Sequence, residues 1–88
     1  MNAMQRIEVE RDGQTAVLDY TIEPAGTLTI WHVETPFALR GRGIAGELVE
    51  QARALAEQRH LTLHPVCPFA KTYLASNPTL RGSSGPRA

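Results

Sequence analysis

The segment 39–57, LRGRGIAGELVEQARALAE, constrains the fold more than any other, because glycines and arginines lead directly into an amphipathic helix pattern. Apolar side chains recur at the three- and four-residue spacing of one helix face, at Ile44, Leu48, Val49, Ala52, Leu55 and Ala56. Strand patterns flank this segment on both sides. A strand, a helix and a further strand form a crossover when the helix packs on the sheet, so the pattern predicts a βαβ-type unit.

Three strand patterns precede the helix. Residues 4–10 alternate apolar with charged side chains, residues 14–23 put apolar side chains on one face, and residues 27–35 are rich in β-branched and aromatic types. Turn signals of Asp, Gly and Pro separate them, and Pro36 ends the third because proline cannot donate to a strand ladder. This part of the chain is therefore predicted to form an antiparallel meander.

The chain after the helix adds one more strand and one short helix. Residues 61–66 are apolar enough for a fourth strand, and residues 68–77 suit a short helix that Pro68 opens. We predict an α+β fold with a mainly antiparallel sheet of about four strands, one main helix and one short helix. Residues 1–80 are predicted to form a single domain, and the polar, Gly- and Pro-rich residues 81–88 a disordered tail.

Composition narrows the classes of function. The 88 residues carry no formal net charge, so no overall electrostatic field attracts nucleic acid or a membrane, and neither is expected as a partner. The N-terminal residues lack the apolar core of a signal peptide, and no stretch is apolar enough for a membrane span. Cys67 is the only cysteine, which excludes a disulfide within the chain and favours a reducing, cytoplasmic setting. The sequence leaves the oligomeric state open.

The start of the main helix has the properties of an anion-binding site. A helix N-terminus carries partial positive charge and unpaired N–H groups, and no Ser, Thr, Asp or Asn is placed to cap this one. Glycine lets the backbone approach a ligand closely, and arginine side chains can flank that ligand. The candidate phosphate-binding residues are Arg40, Gly41, Arg42, Gly43, Ile44 and Ala45. A flexible glycine turn with solvated arginines is the alternative.

Three motifs, taken in order along the chain, resemble one family. They are His32-x-Glu34-x-Pro36, the loop Arg40 to Ala45, and Cys67-Pro68-Phe69. In this order and spacing they resemble the GNAT superfamily of N-acetyltransferases, and most closely its small yjdJ-type branch. The resemblance covers residues 5–78, and it departs from the branch at Ser76-Asn77-Pro78, where a His-Pro-Glu-like segment is usual.

The resemblance implies acetyl transfer from acetyl-CoA to an amine. It implies that the pyrophosphate of acetyl-CoA or CoA lies on the loop, and that the pantetheine arm runs along a splayed strand pair, here residues 27–35 and 61–66. Further cofactor contacts are then expected where this pair ends and the short helix begins, at Val33, Thr35, Cys67, Pro68 and Phe69. The acetyl group is expected near His32, Glu34 and Cys67.

Four side chains are candidates for the chemistry. His32 and Glu34 leave the same face of a strand, and an imidazole beside a carboxylate suits removal of the amine proton. The alternative is that His32 is a hydrogen-bonded histidine of the strand and that Glu34 is a charge on the surface. Cys67 is either a nucleophile that carries the acetyl group or a thiol that lines the pocket, and we favour the second, with direct attack by the amine. Tyr73 matches the tyrosine with which many GNAT enzymes protonate the departing thiolate, and packing is its alternative role.

The remaining aromatic and histidine residues are given structural roles. Trp31 is expected on the core face of the third strand, opposite His32. His60 and His64 lack the spacing of metal ligands, so no metal site is expected.

Several functions compete with that of an acetyl-CoA-dependent N-acetyltransferase. The main alternative is a non-catalytic CoA- or acyl-CoA-binding or interaction module. A cysteine-based enzyme or redox sensor is a second, and it requires a thiolate-favouring setting for Cys67. RNA binding through the single Arg-Gly-Arg-Gly run is the weakest, because the net charge is zero and aromatic residues are few. The amine acceptor, protein or small molecule, is not defined by the sequence.

Overall fold

The fold is a mixed sheet with helices packed against it, in a computed structural model that describes residues 3–78. Its strands and helices, in chain order, are β1 Gln5–Arg11, β2 Gln14–Glu23, β3 Thr27–Glu34, α1 Ile44–Gln58, β4 Thr62–Pro65 and α2 Pro68–Ser76, with a single 3-10 turn, Phe37–Leu39, before α1. The predicted α+β class is confirmed. The predicted tail and the last residues of the predicted domain lie outside the described residues.

The sheet has the order β1-β2-β3-β4. The β1–β2 and β2–β3 pairs are antiparallel and the β3–β4 pair is parallel. Because α1 connects the two parallel strands, the predicted meander and the predicted strand–helix–strand crossover are both present. Neither helix of the described segment has the length and apolar character that a bilayer span requires.

The core lies between one face of the sheet and α1. Its members from the strands are Val9, Ala16, Leu18, Tyr20, Leu28 and Ile30. Its members from α1 are Ile44, Leu48, Val49, Ala52 and Ala56, which are the predicted face of the helix apart from the half-buried Leu55. Full burial of a Leu, Ile or Val side chain contributes about 1.5–3 kcal/mol to the free energy of unfolding, so this layer supplies most of the driving force for folding.

A β-bulge in β3 changes the direction of the side chains that follow it. Asp19 of β2 pairs with His32, whereas its neighbour Tyr20 pairs with Ile30, so Trp31 is an extra residue between the two pairs. An extra residue interrupts the two-residue alternation of a strand. Simple alternation from the core residue Ile30 would place His32 on the core face and Val33 on the outer face. After the bulge these two positions are reversed.

The expectation that Trp31 lies on the core face, opposite His32, is wrong because the bulge interrupts the alternation between these two residues and both lie away from the core. Trp31 is 44% exposed. Its indole Nε1 donates a hydrogen bond of 2.8 Å to Oγ1 of Thr21, on the sheet face that α1 does not cover. Val33, which pairs with the core residue Leu18, packs against the core in its place.

The parallel ladder ends before β3 does. Its last pair is Ile30 with Pro65, and the backbone N–H groups of Val66 and Cys67 then both donate to the carbonyl of Ile30, at 2.9 and 3.1 Å. β3 continues to Glu34, while the chain after β4 turns into α2. The last residues of β3 thus keep β2 on one side and face an open gap on the other.

The uncovered face of the sheet carries a hydrogen-bond network centred on Glu23. The hydroxyls of Thr21 and Thr29 donate to its carboxylate at 2.7 and 2.8 Å. These bonds, that of Thr21 first, lower the pKa of Glu23 below its ordinary value of 4.5, with a smaller contribution from the charge of His64 and an opposing one from burial. The carboxylate is therefore more stable in the folded chain than in the unfolded one.

This network predicts a specific acid dependence of stability. A carboxyl group whose pKa is lower in the folded state than in the unfolded state stabilises the fold at pH values above its unfolded-state pKa. This stabilisation is lost as the pH falls through the folded-state pKa. Glu23→Gln is therefore expected to lower the free energy of unfolding at neutral pH, with a difference from the unmodified chain that shrinks below about pH 4.5 and vanishes in strong acid. Urea unfolding over a pH series measures the difference. Thr29→Val, the matched control, should reduce the pH dependence, and an equal difference at all pH values would contradict the assignment.

Candidate active site

A cleft opens where β3 separates from the chain that follows β4. It encloses about 900 Å³ between the end of β3, the start of α1 and one side of α2. The predicted site residues that line it are His32, Val33, Glu34, Thr35, Arg40, Gly41, Gly43, Ile44, Ala45, Phe69 and Tyr73. The arrangement brings the backbone of a helix start, a strand end and two aromatic rings around one space.

The loop at the start of α1 is shaped by a buried leucine and two glycines. Leu39, which is 1% exposed, anchors the 3-10 turn in the core, with its N–H bonded to the carbonyl of Pro36 at 2.9 Å. Gly41 and Gly43 then adopt left-handed conformations, with φ of 81° and 77°, which side-chain-bearing residues rarely adopt. A Cβ built on either glycine would meet nothing within 4 Å. The backbone conformation, and not crowding by other residues, favours glycine at both positions.

The N-terminus of α1 faces the cleft without a side-chain cap. Gly43 is its N-cap residue and makes no side-chain hydrogen bond. The first N–H groups of an α-helix have no acceptor within the helix, and together they carry partial positive charge. Ile44 and Ala45 supply such groups at the wall of the cleft. This end of the helix is suited to hold an anion.

The two arginines of the loop have different positions. Arg40 lines the cleft, where its Nε donates to the carbonyl of Thr35 at 3.2 Å and its guanidinium lies 5.7 Å from the ring centre of Phe37. Arg42 is not among the residues that line the cleft, and it forms a 2.6 Å ion pair with Asp12 in the β1–β2 turn. Arg40 is therefore placed to contact a ligand, and Arg42 ties the loop to the first hairpin.

The end of β3 carries the two predicted base residues. Nε2 of His32 lies 3.4 Å from Oε1 of Glu34, at the long limit of a hydrogen bond, and both side chains are more than half exposed. They contact each other on one face, as their two-residue spacing predicts. Solvent screens such an exposed pair, so their mutual electrostatic influence is weak.

Tyr73 of α2 is held against α1 by specific contacts. Its hydroxyl donates a 2.8 Å hydrogen bond to Oε2 of Glu50, and its ring stacks on Phe69 with centroids 5.9 Å apart. A Cβ on Gly46 would lie 2.7 Å from Cε2 of the ring, so the ring occupies the space that only a glycine leaves. Burial, followed by the hydrogen bond and charge of Glu50, raises the pKa of Tyr73 above 10, and the positive charge of Arg53 opposes this. The phenol is therefore protonated at neutral pH.

Glu50 is held in turn by Arg53. Nη2 of Arg53 lies 3.1 Å from Oε2 of Glu50 and 2.5 Å from the carbonyl oxygen of Asn77, just after α2. The side-chain amide of Asn77 donates to the carbonyl of Tyr73 at 3.0 Å. The segment that departs from the resembled family branch thus closes α2 with its own cap and joins it to α1.

Cys67 and Pro68 do not line the cleft. Cys67 is 7% exposed and packs within the hydrophobic core as the N-cap residue of α2. Pro68 occupies the first turn of that helix, as predicted. Within residues 3–78, no three His, Cys, Asp or Glu side chains are grouped in a way that could hold a metal ion.

The sequence reasoning missed four residues of the cleft, namely Leu39, Gly46, Glu47 and Glu50. A glycine inside a helix costs about 0.5–1 kcal/mol relative to alanine, so Gly46 carried a usable signal of close approach by another element. Glu47 and Glu50 gave no sequence signal of a place in the cleft, because carboxylates on the polar side of an amphipathic helix are normally solvated.

Comparison with known proteins identifies the family of the chain. A family model described as GCN5-related N-acetyl-transferase matches residues 6–82. The protein named NATD1 of Xenopus tropicalis is 36% identical over 63 residues, which is 72% of this chain and 58% of that protein. The NATD1 proteins of Gallus gallus and Homo sapiens are 35% identical over 63 residues, 72% of this chain and 57% and 56% of their own lengths. The chain thus spans little more than half of these relatives, and it belongs to the GCN5-related N-acetyltransferase family.

Proposed function

We propose that this chain is an acetyl-CoA-dependent N-acetyltransferase, which transfers the acetyl group of acetyl-CoA to an amine. The observation that carries the proposal is the uncapped start of α1, which faces a cleft of about 900 Å³ with Gly43 in a left-handed conformation. The amine acceptor is left open, as protein or small molecule. The single thiol of the chain, Cys67, suits a reducing compartment such as the cytoplasm.

The pyrophosphate of CoA fits the N-terminus of α1. The N–H groups of Ile44 and Ala45 and the guanidinium of Arg40 can donate to its oxygens, and the space where a Cβ of Gly43 would project is open. Glu47 also lines the cleft and would repel an anion. Nη2 of Arg11 lies 3.1 and 3.0 Å from its two carboxylate oxygens, which offsets that charge.

The pantetheine arm fits the gap beside the end of β3. Val33 and Thr35 line the cleft on this side, and the ladder to β4 has already ended at Ile30. Backbone N–H and C=O groups of a strand without a neighbour need other partners, and an amide-bearing chain can supply them. An arm laid along β3 would keep the thioester in the cleft whose lining residues include His32 and Tyr73.

The chemistry we propose is direct attack by the amine on the thioester. The amine must lose a proton, and the His32–Glu34 pair at the end of β3 is one candidate acceptor of it. Tyr73 keeps its proton at neutral pH and is a candidate donor to the departing sulfur. A covalent acetyl-cysteine is disfavoured, because the thiol of Cys67 packs in the core and does not line the cleft.

One observation favours the alternative of a non-catalytic CoA-binding module. His32 and Glu34 are 56% and 69% exposed and 3.4 Å apart, which is weak coupling for an acid–base pair. A module of this kind would bind CoA and acetyl-CoA equally and would leave every amine unmodified.

The binding site is tested by Gly43→Asn, with Gly13→Asn as the matched control. Both glycines have left-handed conformations, with φ of 77° and 75°, and a Cβ at either meets nothing within 4 Å. Asparagine tolerates this conformation, so the fold should survive both changes. Because Gly43 lines the cleft, a side chain at this position is expected to weaken acetyl-CoA binding at least about 10-fold, equivalent to one lost charge-assisted hydrogen bond.

Isothermal calorimetry with acetyl-CoA, CoA and a panel of nucleotides measures this effect. Gly13→Asn should bind as the unmodified chain does, because the β1–β2 turn lies outside the residues that line the cleft. Equal affinities for folded Gly43→Asn and Gly13→Asn would place the site elsewhere.

The proposed base is tested by His32→Gln and Glu34→Gln. If the pair accepts the amine proton, each change should lower kcat about 10²–10⁴-fold while acetyl-CoA affinity changes little. Mass spectrometry of acetylated products from a panel of amines and amine-bearing peptides measures turnover. Unchanged kcat in both variants would leave the pair a structural role only.

Direct attack predicts that the protein itself carries no acetyl group during turnover. Intact-protein mass spectrometry after incubation with acetyl-CoA should show an unmodified chain, and Cys67→Ala should retain transfer if it folds. A stoichiometric adduct that amine discharges, and that Cys67→Ser lacks, would establish the covalent route instead.

A further inference from the structure

Glu50 occupies a place in the cleft that the proposed chemistry has not used. It lies on α1 one turn after Gly46, and its side chain is 28% exposed. Its Oε2 accepts hydrogen bonds from the Tyr73 hydroxyl at 2.8 Å and from Arg53 at 3.1 Å. A carboxylate that lines the cleft thus contacts the phenol that also lines it.

The direction of the Tyr73 proton follows from these contacts. An ionised carboxylate has no proton to give, so the phenol must be the donor in the bond to Glu50. A hydroxyl has one proton and two acceptor lone pairs. With its proton on the α1 side, Tyr73 is left with lone pairs to offer the cleft.

Several contacts keep the phenol in this position. The missing side chain at Gly46 leaves the space that the ring occupies, and Phe69 stacks on the ring. Arg53 is bonded both to Glu50 and to the carbonyl of Asn77, so the carboxylate is fixed from the side of α2 as well. An arrangement locked in this way costs little reorganisation during a reaction.

We propose that Glu50 is a positioning residue for acetyl transfer, which holds Tyr73 so that the phenol oxygen receives the proton of the acceptor amine and passes its own proton to Glu50. The inference rests on the proposed function, and it makes Tyr73 and Glu50 the acceptors of the amine proton in place of the other candidate, the His32–Glu34 pair. Arg53 fixes Glu50 but does not itself exchange a proton.

The proton steps balance. An N–H bond of the bound ammonium breaks, its proton joins the Tyr73 oxygen, and the phenol proton moves to Glu50. The amine keeps the electron pair and uses it to form the C–N bond, while the carbonyl π electrons move to oxygen. As the carbonyl re-forms and the C–S bond breaks with its electrons on sulfur, Tyr73 gives a proton to that sulfur and regains one from Glu50. The second nitrogen proton leaves to water, so each ammonium acetylated releases one proton.

The charged groups around the cleft determine how the pair responds to pH. Those that line the cleft or contact Glu50 are Glu47, Glu50 and Arg53 on α1, His32 and Glu34 on β3, and Arg40 in the loop. Removing the charge of Glu50 is expected to lower the pKa of Tyr73, because its hydrogen bond and its negative charge both raise that pKa. Glutamine at position 50 keeps the shape and an acceptor oxygen while the charge is lost.

The experiment combines titration with kinetics on the full chain. The Tyr73 pKa is measured in ring-labelled protein by NMR, with Tyr73→Phe to distinguish it from Tyr20, the only other tyrosine. The kcat of acetyl transfer and the affinity for acetyl-CoA are measured for Glu50→Gln, Tyr73→Phe, the double variant and Gly46→Ala, over a pH series. Glu10→Gln, on the exposed edge of β1, is the control for loss of one carboxylate.

We expect Glu50→Gln to lower the Tyr73 pKa and to lower kcat about 10- to 100-fold, with acetyl-CoA affinity changed less than about 3-fold. The double variant should lose no more than Tyr73→Phe alone, because both residues act in one path. Gly46→Ala should reproduce the kcat loss by displacing the ring, and Glu10→Gln should match the unmodified chain. Tyr73→Phe keeps the Glu50–Arg53 pair, so it provides the test even if Glu50→Gln fails to fold.

Four results would overturn the inference. A Tyr73 pKa that does not respond to Glu50→Gln would exclude the contact, and additive losses in the double variant would exclude a shared path. If the unmodified chain acetylates an amine and Tyr73→Phe does so at the same rate, the proton transfer through Tyr73 and Glu50 (the relay) would be contradicted. The proposed function would not be affected by that result. Absence of transfer to any amine by the unmodified chain would contradict the proposed function and the relay together.

Discussion

The carbonyl of Ile30 is the point on which the geometry of the site depends. It accepts the N–H groups of both Val66 and Cys67, at 2.9 and 3.1 Å, and so ends the parallel ladder. The chain after β4 then leaves the plane of the sheet as α2, while β3 runs on to Glu34. Without this separation, β4 would cover the edge of β3 and no cleft could form beside it.

The two helices complete the cleft from opposite sides. α1 brings its bare N-terminus to one wall, and α2 brings two aromatic rings to another. The space between the helices is set by Gly46, since any larger residue would push the Tyr73 ring away. The same small contact thus serves both the packing of the two helices and the position of Tyr73, for which we propose a catalytic role.

Local sequence patterns predicted most of the fold. Periodicity placed the strands and the buried face of α1, and the glycine loop placed the uncapped start of that helix. The bulge in β3 was not predictable from alternation, because one inserted residue reverses the phase without altering composition; Trp31 was misplaced for that reason. The contact between Glu50 and Tyr73 joins residues far apart in sequence, and no local rule reports it.

The order of the strands also determines how far the sheet can grow. β1 and β4 are the outer strands of the described sheet, and an outer strand offers unpaired N–H and C=O groups that can recruit a strand from another molecule. β1 carries Arg6, Glu8, Glu10 and Arg11, whose charges would have to be buried or matched in such a pairing. β4 is four residues long and ends at Pro65, which has no N–H to donate. Both edges thus resist addition of strands from neighbouring molecules. This resistance protects the sheet, one face of which α1 leaves uncovered, from edge-to-edge aggregation.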